Sequence, residues 1–251
     1  MEGNFYGISK NKNYWYVYNR FSHKSRLIKM NIPNDVNNIE LEIDFIGLPD
    51  GCHQIDFINS HLVITDTYNN KLIEYDPQQK IIVREIYTNG KLENGRSSDN
   101  YVHCNSIFKY KKNIYLMYHN ETAKTGRESE IAIVKDDFTF NKLLKVKASS
   151  AHNIYIKDDI IYFCDSLNKS FVRDKEILFE CDEFTRGLSV SDDYIAIGGS
   201  EFAKRDQRKL TEGTVYLLDN KYSYIGKIKM PAPVYEIRRV DKSDYCFSNY
   251  N

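Results

Sequence analysis

The chain of 251 residues has no excess of charge: Lys plus Arg and Asp plus Glu each number 35. A balanced surface gives no electrostatic footprint for DNA, RNA or an anionic membrane, so neither nucleic acid nor membrane is expected as a partner. No apolar run approaches the roughly 18–20 residues that cross a bilayer. The opening stretch MEGNFYGISKNK has no apolar middle of the kind a signal peptide carries, and a cytoplasmic protein is expected. Cys52, Cys104, Cys164, Cys181 and Cys246 are odd in number and form no CxxC pair, which points to reduced thiols in or near the core. GxSxG, P-loop and GxGxxG motifs are missing, so the sequence offers no signature of a nucleophilic hydrolase or a nucleotide cradle. The stretch AIGGSE, Ala196 to Glu201, lies between two strand-like runs and is expected to be a turn.

Helical spacing of apolar residues is scarce too, whereas 20 Tyr and 13 Phe favour pleated, half-buried strands. Runs such as HQIDFI, LVITDT, KLIEYD and IVREIY alternate apolar and polar residues between turn-forming Asn, Pro and Asp clusters, the pattern of antiparallel sheet. The pattern repeats. Ile8, Ile55, Ile107, Ile154, Leu188 and Ile237 hold equivalent places, separated by 47, 52, 47, 34 and 49 residues. A four-stranded unit of roughly 40–50 residues is the mark of a β-propeller blade. The expectation is an all-β protein, one β-propeller domain over residues 1–251 built of four-stranded antiparallel blades. Five units look complete, and a sixth, VYEIRRVDKSDYCFSNYN, stops after two strands. Six blades are favoured, with five as the alternative.

Two residues before each repeat anchor, where the innermost strand starts, stand Tyr6, His53, Asn105, His152, Arg186 and Tyr235. His103 lies two residues further upstream of Asn105, on the same side by the period of two. The second strands return to that face and end in Thr65–Asp66, Tyr118–His119–Asn120, Cys164–Asp165, Gly198–Ser200 and Ser248–Asn251, with Tyr18–Arg20 in the first unit. Long polar loops, at 88–102, 120–130 and 200–213, belong to this face as well. His23 and His61 fall in turn-like stretches and read as surface residues.

The segments YWYVYNRFSHKSRLIKMNI and YVHCNSIFKYKKNIYLMY resemble an uncharacterised group of bacterial propeller proteins, through Tyr16, Val17, Asn19, Phe21 and Ser22 and then His103 and Asn105, with Ser106 where that group has Gly. The resemblance covers about the first half of the chain and implies a propeller without implying an activity. More distantly the blades are similar to gluconolactonase-like and NHL-type propellers. The lactonase-like enzymes hold a divalent cation on the axis with Glu, Asn and Asp, a set that this chain's axial His, Tyr and Arg do not reproduce.

Two functions of different class fit these residues. The first is an enzyme acting on a small polar or anionic molecule. His53, His103 and His152 would hold a divalent ion such as Zn²⁺, Fe²⁺ or Mn²⁺, with His152 alternatively a general base. Arg186 would clamp a carboxylate or phosphate, Tyr6 or Tyr235 would donate a proton, and Asn105, Asp66, Asp165 and His119 would bind the ligand. A lyase, hydrolase or oxygenase would suit such a site. The second is a non-catalytic module binding a glycan, peptide or protein partner. The heterogeneous axial ring favours one asymmetric pocket over repeated equivalent sites. The sequence says nothing of oligomeric state.

Overall fold

The computed structural model describes residues 2–21, 24–32, 38–88, 100–203, 207, 211–241 and 243–248. Among the described residues twenty strands form five four-stranded antiparallel sheets. Blade 1 contains β1 (Asn4–Asn11), β2 (Tyr14–Arg20), β3 (Ser25–Asn31) and β4 (Glu40–Leu48). Blade 2 contains β5 (Cys52–Ile58), β6 (His61–Asp66), β7 (Lys71–Asp76) and β8 (Ile81–Tyr87). Blade 3 contains β9 (Cys104–Tyr110), β10 (Asn113–Tyr118), β11 (Glu130–Lys135) and β12 (Phe140–Lys145). Blade 4 contains β13 (His152–Lys157), β14 (Ile160–Asp165), β15 (Ser170–Arg173) and β16 (Glu176–Glu180). Blade 5 contains β17 (Phe184–Val190), β18 (Tyr194–Ser200), β19 (Gly213–Asp219) and β20 (Tyr224–Met230). The first strand of each blade is innermost, and these strands neighbour one another in the order β1, β5, β9, β13, β17.

The two faces of the disc differ because their connections differ. First and second strands are joined by two-residue loops at 12–13, 59–60, 111–112 and 158–159. Asn59 and Ser60, and Asp158 and Asp159, all have positive φ, as a tight hairpin whose twist matches its strands demands. Second and third strands are joined on the opposite face, where 119–129 carries the short helix α1 (Thr122–Thr125). Much of the loops at 88–102 and 200–213, together with His23, Ser22 and 249–251, lies outside the described residues.

Apolar burial is concentrated between blades. One cluster joins Tyr18, Leu27, Ile55, Leu62 and Ile73 of blades 1 and 2, and a second joins Val63 and Leu72 to Ile107, Leu116 and Ala132. The third runs from Phe108 and Ile131 through Ile154, Phe163 and Phe171 to Leu188, Ile197 and Leu218. All five cysteines are buried free thiols within these layers. His61, expected on the surface, is partly buried and pairs with Glu74 at 2.7 Å.

The ring has five blades, not six. The sixth repeat unit forms no strand among its described residues, yet it occupies the place between β17 and β1. Arg238 spans that gap: its Nε donates to the Ile8 carbonyl at 3.2 Å and one terminal nitrogen to the Leu188 carbonyl at 2.8 Å. A sixth sheet would need two further strands; these residues instead turn back beneath the ring, where Ser248 donates to Asp56 and Phe247 stacks edge-on to Trp15. AIGGSE also differs from expectation, since Ala196–Ser200 is the second half of β18. Its glycine is needed for close approach: a Cβ at Gly198 would lie 2.0 Å from the Arg186 carbonyl oxygen.

Each innermost strand carries one extra residue at the same level, a β-bulge. It falls at Gly7, at His53–Gln54, at Asn105, at Asn153 and at Arg186–Gly187. Gly7 has φ of 53°, and a Cβ there would sit 2.7 Å from the His53 carbonyl oxygen. The bulges free backbone N–H groups from the sheet, and a side chain of the preceding blade accepts from three of them. Ile107 N donates to Gln54 Oε1 at 2.6 Å, Asn153 N to Ser106 Oγ at 2.8 Å, and Gly187 N to Asn153 Oδ1 at 2.8 Å. One residue in each of blades 2, 3 and 4 thus wires it to its successor. Gln54→Leu should lower stability by about 1–3 kcal/mol, the cost of an orphaned buried N–H. Urea unfolding checks this: an unchanged midpoint would show that water replaces the amide.

Candidate functional site

The bulges decide what faces the axis. In a regular strand neighbouring side chains point to opposite faces, so only one of two consecutive residues would look inward. The extra residue turns both inward. The axial cavity is therefore lined by Tyr6, His53, Asn105, His152 and Arg186 and also by Gln54, Ser106 and Asn153, while Tyr235 and Glu236 reach it from the strandless segment between β17 and β1. All six residues expected from the repeat line it. Gln54, Ser106 and Asn153 were missed because the alternation rule turns them away from the axis, and Glu236 because the same rule was applied to a segment that forms no strand among the described residues; the signal that finds all four is a polar residue immediately before an apolar anchor.

Above the cavity an arc of rings follows the rim. Tyr235 lies 4.7 Å from Tyr6, Tyr6 is 5.9 Å from His53, and His53 is 5.2 Å from His103. His103 stacks on His119 at 4.4 Å, which meets His152 edge-on at 5.0 Å, and Phe184 and Phe202 continue the arc. Arg186 completes the circle, with its guanidinium 5.0 Å from the Tyr235 ring and 5.8 Å from that of Tyr6. These are cation–π distances.

Hydrogen bonds orient the histidines. His152 Nδ1 meets the Ser150 carbonyl at 3.0 Å and the Ser166 hydroxyl at 2.8 Å, which places its proton on Nδ1. His53 Nδ1 meets the Gly51 carbonyl at 3.1 Å, giving the same tautomer. His119 is the reverse, since its Nδ1 accepts from the Glu121 N–H at 3.0 Å. His103 Nδ1 lies 3.0 Å from the Tyr101 hydroxyl and 3.4 Å from Glu121 Oε1. The His103 hydrogen bond, with the nearby positive charge, pulls Glu121 down to about 2.

Electrostatics separate two groups on the cavity wall. Burial holds His152 well below the usual histidine value of 6.5, reinforced by the charge of Arg186, so its imidazole is neutral at pH 7. Burial pushes Glu236 up to about 7 against the pull of Arg238, whose terminal nitrogen lies 2.8 Å from Glu236 Oε1. The Glu236 side chain is only 5% exposed. A neutral imidazole and a carboxyl poised near neutrality beside a fixed guanidinium are the parts of a proton-handling anion site.

Asp66 and Asp165 stand elsewhere. Each accepts from the amide of the asparagine three residues on, Asn69 at 2.8 Å and Asn168 at 2.9 Å, and so shapes the loop after its strand. Burial raises both carboxyls. Neither lines the axial cavity. Asn105 does, but its amide donates to the Ala151 carbonyl at 3.0 Å and its oxygen accepts from Ser106, so it braces blade 3 against blade 4. Among the described residues no group of three or more His, Cys, Asp or Glu is arranged to hold a metal ion.

Solved structures share this architecture at low identity. A chain of a nidogen–laminin complex superposes with a TM-score of 0.65 at 9% identity, covering 93% of this chain and 84% of that one. Regucalcin from Agrobacterium tumefaciens, described as a calcium-binding protein, superposes with a TM-score of 0.60 at 13% identity, over 93% of this chain and 77% of its own. A Bacteroides caccae protein of unknown function gives 0.60 at 10% identity, over 95% and 87%. No family model matches the chain, and no curated protein matches it. These likenesses show the β-propeller fold.

Proposed function

We propose that the chain is a cytoplasmic enzyme that binds a small anionic metabolite over its axial mouth and moves a proton on it. The carrying observation is the convergence of Arg186, neutral His152 and Glu236 on one cavity. The cavity has room for only about 10 Å³, the space of a single water, so the ligand body rests on the ring arc and inserts one group. Arg186 anchors that group as a carboxylate or phosphate, in charge-assisted hydrogen bonds. His152, with its proton on Nδ1, accepts at Nε2. Glu236 donates or accepts according to pH, and Tyr6 and Tyr235 present hydroxyls at the rim. The five buried unpaired thiols suit a reducing compartment.

Calcium, named for regucalcin, does not suit this axis. Calcium takes six to eight oxygens, whereas here one carboxylate is tied to Arg238 and Arg186 stands beside it. Zn²⁺, Fe²⁺ or Mn²⁺ on His53, His103 and His152 would have to bind through Nε2, since each Nδ1 meets a neighbouring residue, and would need the rings to regroup, because no group of three such residues is arranged for an ion among the described residues. The ring arc, with Phe184 and Phe202 extending it outward, also favours a second reading, in which the mouth binds a ligand or partner without chemistry.

Calorimetric titration with a panel of small carboxylates and phosphates tests the proposal. At least one is expected to bind, with affinity reduced tenfold or more in Arg186→Met, about 1.4 kcal/mol. Turnover of that ligand, lost in His152→Asn with binding kept, separates enzyme from binding module. Binding indifferent to Arg186→Met would sink the anion-binding enzyme and leave only the ring arc as a binding surface. Elemental analysis of the same preparation reads the metal alternative: stoichiometric zinc, iron or manganese lost in His53→Ala/His152→Ala would replace acid–base chemistry with metal-assisted chemistry.

A further inference from the structure

Blade 4 is the short blade. Its anchors stand 34 residues apart in the sequence, and β15 and β16 have four and five residues where every strand of blade 5 has seven. A short sheet cannot cover the flank of a long one. On the face opposite the mouth, the uncovered side of blade 5 opens a cavity of about 280 Å³, near the small end of ligand sites.

The walls of this cavity are aromatic and its rim is polar. Tyr155 and Tyr162 lie 5.4 Å apart, and Tyr162 and Tyr222 bring their hydroxyls to 3.3 Å. Tyr222 reaches in from the β19–β20 turn, with the Arg173 guanidinium over its ring at 5.6 Å. Tyr245, from the segment beneath the ring, donates to Asp192 Oδ1 at 2.7 Å. Lys157 and Asn220 finish the rim.

We propose that this cavity between blades 4 and 5 is a second binding site, for a neutral polyhydroxylated ring such as one saccharide unit. Tyrosine faces take the apolar C–H side of such a ring while their hydroxyls remain wet. The rim supplies a cationic donor in Lys157, an acceptor in Asp192, and groups that do both in Asn220 and the tyrosines. Alternating donors and acceptors suit hydroxyl groups, each of which needs both. A phosphate or carboxylate would meet Asp192, and an ammonium would meet Lys157, so a charged ligand gains less here than at the axial mouth.

Saturation-transfer NMR with glucose, galactose, mannose and N-acetylglucosamine tests this on the full chain. Transfer to the ring protons of at least one sugar is expected, with affinity reduced about tenfold in Tyr222→Ala or Lys157→Ala and unchanged in Arg186→Met, folding being checked by circular dichroism. No transfer to any of the four, or transfer that neither cavity variant weakens, overturns the proposal. Loss in Arg186→Met alone would assign the sugar to the mouth and overturn it equally. Failure here leaves the anion proposal standing, because the two sites lie on opposite faces and answer to different variants.

Discussion

Arg238→Met should destabilise the protein by about 3–5 kcal/mol, the usual loss when one partner of a buried ion pair is removed. The arginine side chain is 2% exposed and holds three things at once. It pairs with Glu236, caps the Ile8 carbonyl of blade 1, and caps the Leu188 carbonyl of blade 5. Asp56 and Asp244 lie close enough to add to its charge environment. Methionine fills similar volume but donates to none of these acceptors, leaving Glu236 only the Asn153 amide at 3.4 Å and the ring without its bridge. Denaturant unfolding measures the loss. Lys227→Met, which breaks an exposed pair with Asp182, is the control expected to change nothing measurable. A midpoint for Arg238→Met equal to wild type would show that apolar contacts alone close the ring.

Two cavity residues should make opposite contributions to acid stability. His152 stays neutral in the fold when the unfolded chain has begun to protonate it, so its contribution falls as pH drops below about 6.5. The slope is roughly 1.4 kcal/mol for each pH unit. Glu236 behaves in the other sense. Its folded value near 7 exceeds the unfolded 4.5, so between those values the fold binds a proton that the unfolded chain does not. Its contribution therefore rises as pH falls from 7 to 4.5, by about 3 kcal/mol across the window. In wild type the two slopes oppose each other. His152→Asn should gain stability relative to wild type on going from pH 7 to 5, and Glu236→Gln should lose it. Denaturant midpoints for the three proteins at several pH values check both signs. Parallel profiles would mean that neither group changes its proton affinity on folding.

Much of this architecture was legible in the sequence because it repeats. The spacing from Ile8 to Ile237 locates the blades, and two residues upstream of each anchor lie six residues that line the axial cavity. The number of blades was not legible, because VYEIRRVDKSDY alternates like a strand pair. Its fate is set by the width left between β17 and β1, a tertiary quantity. Glu236 was hidden because its segment reads as a strand but forms none among the described residues, and Gln54, Ser106 and Asn153 were hidden for a related reason. Period-two reading places them away from the axis, and only the bulge, visible in the register shifts, reverses that. Asp66 and Asp165 erred in the other direction. A carboxylate at the end of a strand next to a binding face looks functional, but an asparagine three residues later lets it satisfy its own loop.

The bridge between β17 and β1 also has a place in time. Domains acquire structure as they are made, the N-terminal parts first. Every blade of this ring leaves the ribosome before Arg238 does. Until then β1 and β17 are open borders, with the Ile8 and Leu188 carbonyls unanswered and Trp15 lacking Phe247. The nascent protein is thus an arc carrying two sticky ends for most of its synthesis. Interruption of translation a few codons before Arg238 would release five complete blades that lack the bridge between β17 and β1.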